Sequence, residues 1–131
     1  MDPKIVKEMR SHFSEALCPR RVVVCILYDS DYNIKAWGVN GPVSNDCFIF
    51  PCEKNTKRGK RHCQALHAED WAIRKLGNDS PHYAYISRSP CLECCKKLIH
   101  VGVREIHVCS YDFNRNRDIF LKESGIKFVV E

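Results

Sequence analysis

The chain has 131 residues, 28% of them charged and 44% hydrophobic, enough for one compact core, too few for two ordinary domains, and unlike a disordered or fibrous composition. Twenty-one Lys plus Arg against 16 Asp plus Glu give a net charge of +5, and the nine cysteines are several times the usual share. That odd count, the mixed charges of Met1 to Glu8, and a longest apolar run (Val22 to Tyr28) far short of the roughly 20 residues that span a bilayer point to a single domain over 1–131, cytoplasmic and without a membrane segment.

Ile5, Val6, Met9, Phe13, Ala16 and Leu17 recur at helical spacing, so a first amphipathic helix is expected to end before Cys18-Pro19. Val22 to Tyr28 and Ile34 to Val39 read as two strands joined by the polar turn Asp29-Ser30-Asp31. Asn40-Gly41-Pro42 then opens a loop reaching about residue 61. Its segment Glu53 to Arg61 carries Lys54, Lys57, Arg58, Lys60 and Arg61 against one acid, so nearly all of the net charge sits there, as a solvated loop or as a rim that attracts phosphate. A helix from His62 to Leu76 stopped by Gly77-Asn78, a strand from Tyr83 to Ser87 and a helix from Cys91 to Val101 closed by Gly102 follow. Val103 to Ser110 reads as a strand, Asp118 to Glu123 as a short helix and Ile126 to Val130 as the last strand. This order predicts an α/β fold in which a five-stranded mixed sheet carries helices on both faces.

The chemistry gathers where two of these helices begin. Cys91 and Cys94 are three residues apart and share a helix face, so they can grip one metal ion with His67 as a third ligand from the neighbouring helix. Three protein ligands leave one tetrahedral position open for water, which distinguishes a catalytic zinc from a closed structural one. The helix N-termini favour the thiolate forms that zinc requires. Glu69, two residues after His67, is suited to carry protons to and from a zinc-activated water. The alternative is a zinc site that only holds the fold, which leaves Glu69 without a purpose.

His67-Ala68-Glu69 followed by Pro90-Cys91-Leu92-Glu93-Cys94 matches the signature of zinc-dependent nucleobase deaminases. Around it, Cys18-Pro19-Arg20-Arg21-Val22-Val23, Gly38-Val39-Asn40-Gly41-Pro42, Cys63-Gln64-Ala65-Leu66, Tyr85-Ile86-Ser87 and Gly102-Val103-Arg104-Glu105-Ile106 resemble successive motifs of the deoxycytidylate deaminases, over residues 15 to 130. The resemblance implies a cytidine-deaminase-like three-layer α/β/α sandwich and hydrolysis of the 4-amino group of dCMP, a small pyrimidine nucleotide. A homo-oligomer is also implied. His67, Cys91 and Cys94 would then be the zinc ligands and Glu69 the proton shuttle. Asn40 would contact the sugar hydroxyl or the base, the Ala68 amide the ring carbonyl, the backbone around Ser89 the amino group, and Arg20 or Arg21 the 5′-phosphate.

Trp71 departs from the family's pattern, which has asparagine there; it is either core packing or a surface on which a base stacks. With the basic loop it motivates an alternative substrate, a base in single-stranded nucleic acid. Some relatives carry a second, structural zinc, for which Cys47, Cys52, Cys63 and His62 are candidate ligands, the alternative being unligated thiols. Cys95, Cys25 and Cys109 read as packing residues.

Overall fold

Every residue of Val24–Tyr28 (β1) is buried, so this strand needs a packed layer on each side. A computed structural model, which describes residues 1–16, 21–41 and 66–131, shows both layers. Val24, Ile26 and Tyr28 point to one face and pack with Tyr85 against Ile5 and Met9 of Pro3–Ser11 (α1). Cys25 and Leu27 point to the other, where Ala68 and Ala72 of Ala68–Lys75 (α2), Leu98 of Leu92–Val101 (α3) and Leu121 of Arg115–Glu123 (α4) share one apolar cluster. The result is the expected three-layer sandwich, with α1 on one face of the sheet and α2, α3 and α4 on the other.

The other strands are Ile34–Val39 (β2), Tyr83–Ile86 (β3), Glu105–Val108 (β4) and Lys127–Val130 (β5), and the sheet runs β2-β1-β3-β4-β5. β1 pairs antiparallel with β2 and β3, while β3-β4 and β4-β5 are parallel. A parallel pair needs a crossover, supplied by α3 and α4 in turn. Gly102 closes α3 at φ 119°, a left-handed conformation that glycine adopts without a Cβ penalty.

Three helix boundaries differ from the sequence expectation, each for a local reason. α1 ends at Ser11 and a 3-10 turn, Phe13–Glu15, follows; there the His12 ring sits between the carboxylates of Glu8 and Glu15. α2 begins at Ala68 because Leu66 spends its N–H and C=O on Gly41, at 2.8 and 3.1 Å, which commits it to an extended bridge. α4 begins at Arg115, three residues earlier than expected, because the Asn114 side chain caps it by accepting from the Arg117 N–H at 3.0 Å.

Gly38 controls how closely the sheet approaches the site. A Cβ there would lie 2.2 Å from the Ala68 carbonyl oxygen, 2.4 Å from the Ala72 nitrogen and 2.8 Å from the Trp71 Cβ. Only a residue without a side chain lets β2 lie against the first turn of α2. The chain leaving β2 is then tied to that turn by the Gly41–Leu66 bridge and by the Trp71 indole N–H, which donates to the Gly41 carbonyl at 3.0 Å. Trp71 is therefore a half-buried packing and anchoring residue.

Candidate active site

Two helices deliver the site by their N-termini. His67 is the N-cap of α2, with extended backbone (φ −70°, ψ 156°), and its carbonyl accepts the first helical bond from the Trp71 N–H. Cys91 is the N-cap of α3, in a similar conformation (φ −73°, ψ 167°), and accepts from the Cys95 N–H. Cys94 follows one turn later. The side-chain donors of His67, Cys91 and Cys94 all lie within 4.8 Å of one another. His67 Nδ1 is 3.2 Å from Cys94 Sγ and 3.8 Å from Cys91 Sγ.

These residues suit zinc. One imidazole nitrogen and two sulfurs are its borderline-soft donor set, and bond lengths near 2.0 and 2.3 Å give tetrahedral ligand-to-ligand edges of roughly 3.5–3.8 Å, which the two observed distances bracket. The thiols already differ in ionisation. Hydrogen bonding from Cys94, then from His67, holds Cys91 down at about 3, whereas sharing with Cys91 and burial raise Cys94. The bond with Cys91 also raises the His67 imidazole against its partial burial.

Glu69, on the first turn of α2, is only 3% exposed. Burial raises its carboxyl above the usual range, more than its own backbone N–H and the Cys94 thiol lower it. A buried carboxylate is costly unless it is paired, hydrogen-bonded or protonated, and a raised one two residues beyond a metal-ligand candidate is a candidate for proton transfer.

The other expected residues stand in different settings. Ala68 opens α2, so its N–H lies outside the intrahelical ladder and is free in principle for a ligand. Ser89 is held beside the Cys91 turn: its N–H and Oγ donate to the Ser110 carbonyl at 2.9 and 3.1 Å, and its Oγ accepts from the Asp112 N–H at 2.9 Å. The Asn40 Oδ1 accepts from the Val23 N–H at 2.7 Å and its Nδ2 donates to the Arg21 carbonyl at 2.8 Å, so Asn40 fixes the segment that carries the exposed Arg21. Arg20, the basic cluster 53–61 and the second-zinc candidates Cys47, Cys52, Cys63 and His62 lie outside the described residues. Cys25 and Cys95 are core residues as expected, whereas Cys109 lies just beyond β4 and is exposed, against the Met1 and Met9 sulfurs.

One contributor went unnoticed in the sequence. Asp70 accepts from the His67 N–H at 3.2 Å, completing a capping box, and its other oxygen takes the Lys97 ammonium at 2.7 Å, so it joins the ligand-bearing ends of α2 and α3. An acidic residue three positions after a helix N-cap is the signal that could have found it.

Residues 2–110 match the model of the "Cytidine and deoxycytidylate deaminase zinc-binding region". The chain belongs to this family. Among curated relatives, it is 29% identical over 123 residues to the deoxycytidylate deaminase of Saccharomyces cerevisiae and 30% identical over 103 residues to a probable deoxycytidylate deaminase of Caenorhabditis elegans. Those matches cover 86% and 76% of this chain but only 39% and 50% of the relatives' own length. The crystal structure of a dCMP deaminase from the cyanophage S-TIM5, in complex with dCMP and dUMP, superposes with a TM-score of 0.75 at 23% identity, covering 100% of this chain and 99% of that one. A deletion mutant of the Aspergillus oryzae Rib2 deaminase superposes at 0.63, with 15% identity, over 98% of this chain and 82% of its own. The fold is thus shared with both deaminases. Among the described residues, no helix of this family member is long and apolar enough to cross a membrane.

Proposed function

We propose that this protein hydrolyses dCMP to dUMP and ammonia. The observation that carries the proposal is the meeting of His67, Cys91 and Cys94 at two helix N-termini with the buried Glu69 beside them. Its support in substrate class comes from relatives named deoxycytidylate deaminases and from a structural neighbour that holds dCMP and dUMP.

Zinc in the His67, Cys91 and Cys94 cluster would act as a Lewis acid that makes water nucleophilic near neutral pH. Glu69 takes a proton from the attacking water and delivers it to the ring nitrogen next to the carbon under attack, then takes the second proton from the same oxygen and delivers it to the departing amine, so that a carbonyl forms as ammonia leaves. Its raised carboxyl suits both halves of that exchange, because a proton carrier works best when neither form is strongly preferred. The Ala68 N–H donates to the ring carbonyl, and a backbone carbonyl of the Ser89 segment accepts from the amino group, so cytosine is oriented by main chain that the helix caps already hold still. Asn40 has one further lone pair and one further N–H beyond its bonds to Val23 and Arg21, and these meet the sugar hydroxyl. Arg21, with Arg20, meets the 5′-phosphate.

A base in single-stranded nucleic acid has less support, because the indole of Trp71 is engaged with Gly41 instead of standing as an open stacking platform. The test is a panel of dCMP, dCTP, deoxycytidine, cytidine and a cytosine-containing oligonucleotide with zinc-loaded protein, followed by loss of the cytosine absorbance. The expected result is the highest kcat/KM on dCMP. Turnover of none, or preference for the oligonucleotide, overturns the proposal.

A further inference from the structure

Arg117, in the first turn of α4, is 2% exposed. Burying a guanidinium is costly unless it is paired and hydrogen-bonded, and here each of its three nitrogens has a partner. Its Nε donates to Asp118 Oδ1 at 2.9 Å, one terminal nitrogen to the Pro90 carbonyl at 3.2 Å, and the other to the Asp112 carbonyl at 2.6 Å. The rings of Tyr111 and Phe128 each lie 5.4 Å from the guanidinium carbon. Two of these partners are main-chain carbonyls far apart in sequence, and one belongs to the residue immediately before Cys91.

Proline has no N–H, so its carbonyl is the only backbone hydrogen-bonding group by which the chain entering α3 can be held at that residue. Ser89 stitches the preceding residue to Ser110 and Asp112, and Arg117 stitches Pro90 to the same stretch. Building on the reading that His67, Cys91 and Cys94 hold zinc, we infer that Arg117 is a positioning residue for the metal site: it fixes the Pro90–Cys91 entry to α3 and so keeps Cys91 Sγ within reach of His67 and Cys94. Filling the space between Tyr111 and Phe128 would not by itself require an arginine. An apolar side chain of similar volume fills such a space with less desolvation, and a lysine supplies a point charge, whereas the planar fork reaches Pro90 and Asp112 together.

The test loads wild type, Arg117→Lys and Asp118→Asn with Co2+ and with zinc, and confirms cooperative thermal unfolding of each. The readouts are the visible cobalt spectrum and the rate of zinc loss to a chelator. Arg117→Lys is expected to shift the cobalt bands and to release zinc roughly 10- to 100-fold faster, the usual scale for losing an outer-shell support. Asp118→Asn, which keeps the fork but loosens its outer grip at a side chain 30% exposed, is expected to move both readouts the same way by less, and it carries the test if Arg117→Lys does not fold. Folded variants indistinguishable from wild type in both readouts overturn the inference. Wild type that takes up no cobalt overturns it together with the zinc site. Wild type with the tetrahedral thiolate spectrum and no turnover of dCMP overturns the substrate proposal alone, and the variants then decide the role of Arg117.

Discussion

Replacing Gly38 with alanine tests whether β2 positions the site. The new Cβ would stand 2.2 and 2.4 Å from the Ala68 oxygen and the Ala72 nitrogen, where ordinary contacts begin at 3.4 Å. Both are backbone atoms of α2 and cannot rotate aside, so the first turn of that helix must move outward by about 1 Å. Overpacking of this kind costs about 1–3 kcal/mol, and for a domain of this size that lowers the Tm by roughly 3–15 °C. The moving turn carries His67 and Glu69 while Cys91 and Cys94 stay on α3, so the cluster is also pulled apart. A displacement near 1 Å costs about 100-fold in rate where reacting groups must be aligned. The assay is paired: a thermal melt, and kcat/KM on dCMP at a temperature where the variant remains folded. Loss of activity well beyond the loss of folded protein is expected. A variant that melts with wild type and retains full kcat/KM refutes the close approach and the positioning derived from it.

Glu69→Gln should retain zinc at the wild-type ratio while kcat falls about 100- to 10,000-fold, measured by metal analysis and absorbance on the same sample. Trp71→Phe keeps the ring and loses the indole N–H to Gly41, which should cost about 0.5–1.5 kcal/mol in denaturant titration. Glu105 offers a pH test: burial alone would raise its carboxyl, but the hydrogen bond with His107 and the charges of Lys127 and His107 bring it below 4.5. A depressed folded value contributes stability above the unfolded value and loses it as the pH falls through the folded one. Glu105→Gln should therefore lower the Tm near neutral pH, with the gap from wild type narrowing below about pH 4.5.

Much of the architecture was legible because the pattern of β1 is unambiguous: a wholly apolar strand between helical periodicities demands cover on two faces. The clustering of His67, Cys91 and Cys94 was legible because their spacing is local to two helix starts. What the sequence hid depends on bonds between distant residues. The start of α2 is set by Gly41 capturing Leu66, and the first turn of α2 packs where it does because Gly38 lacks a Cβ. Asn40, expected at the sugar or base, spends one lone pair and one N–H on holding residues 21–23. Arg117 carried no local sign of its role, since Pro90 lies 27 residues away.

The central claim is that these residues direct water onto a cytosine ring, and the most direct measurement is mass analysis of the product formed from dCMP by zinc-loaded protein in oxygen-18 water. The expected result is dUMP with a single labelled oxygen at the former amino position, one ammonia per dUMP, and almost none of either from Glu69→Gln. No dUMP, or dUMP without the label, would contradict the account.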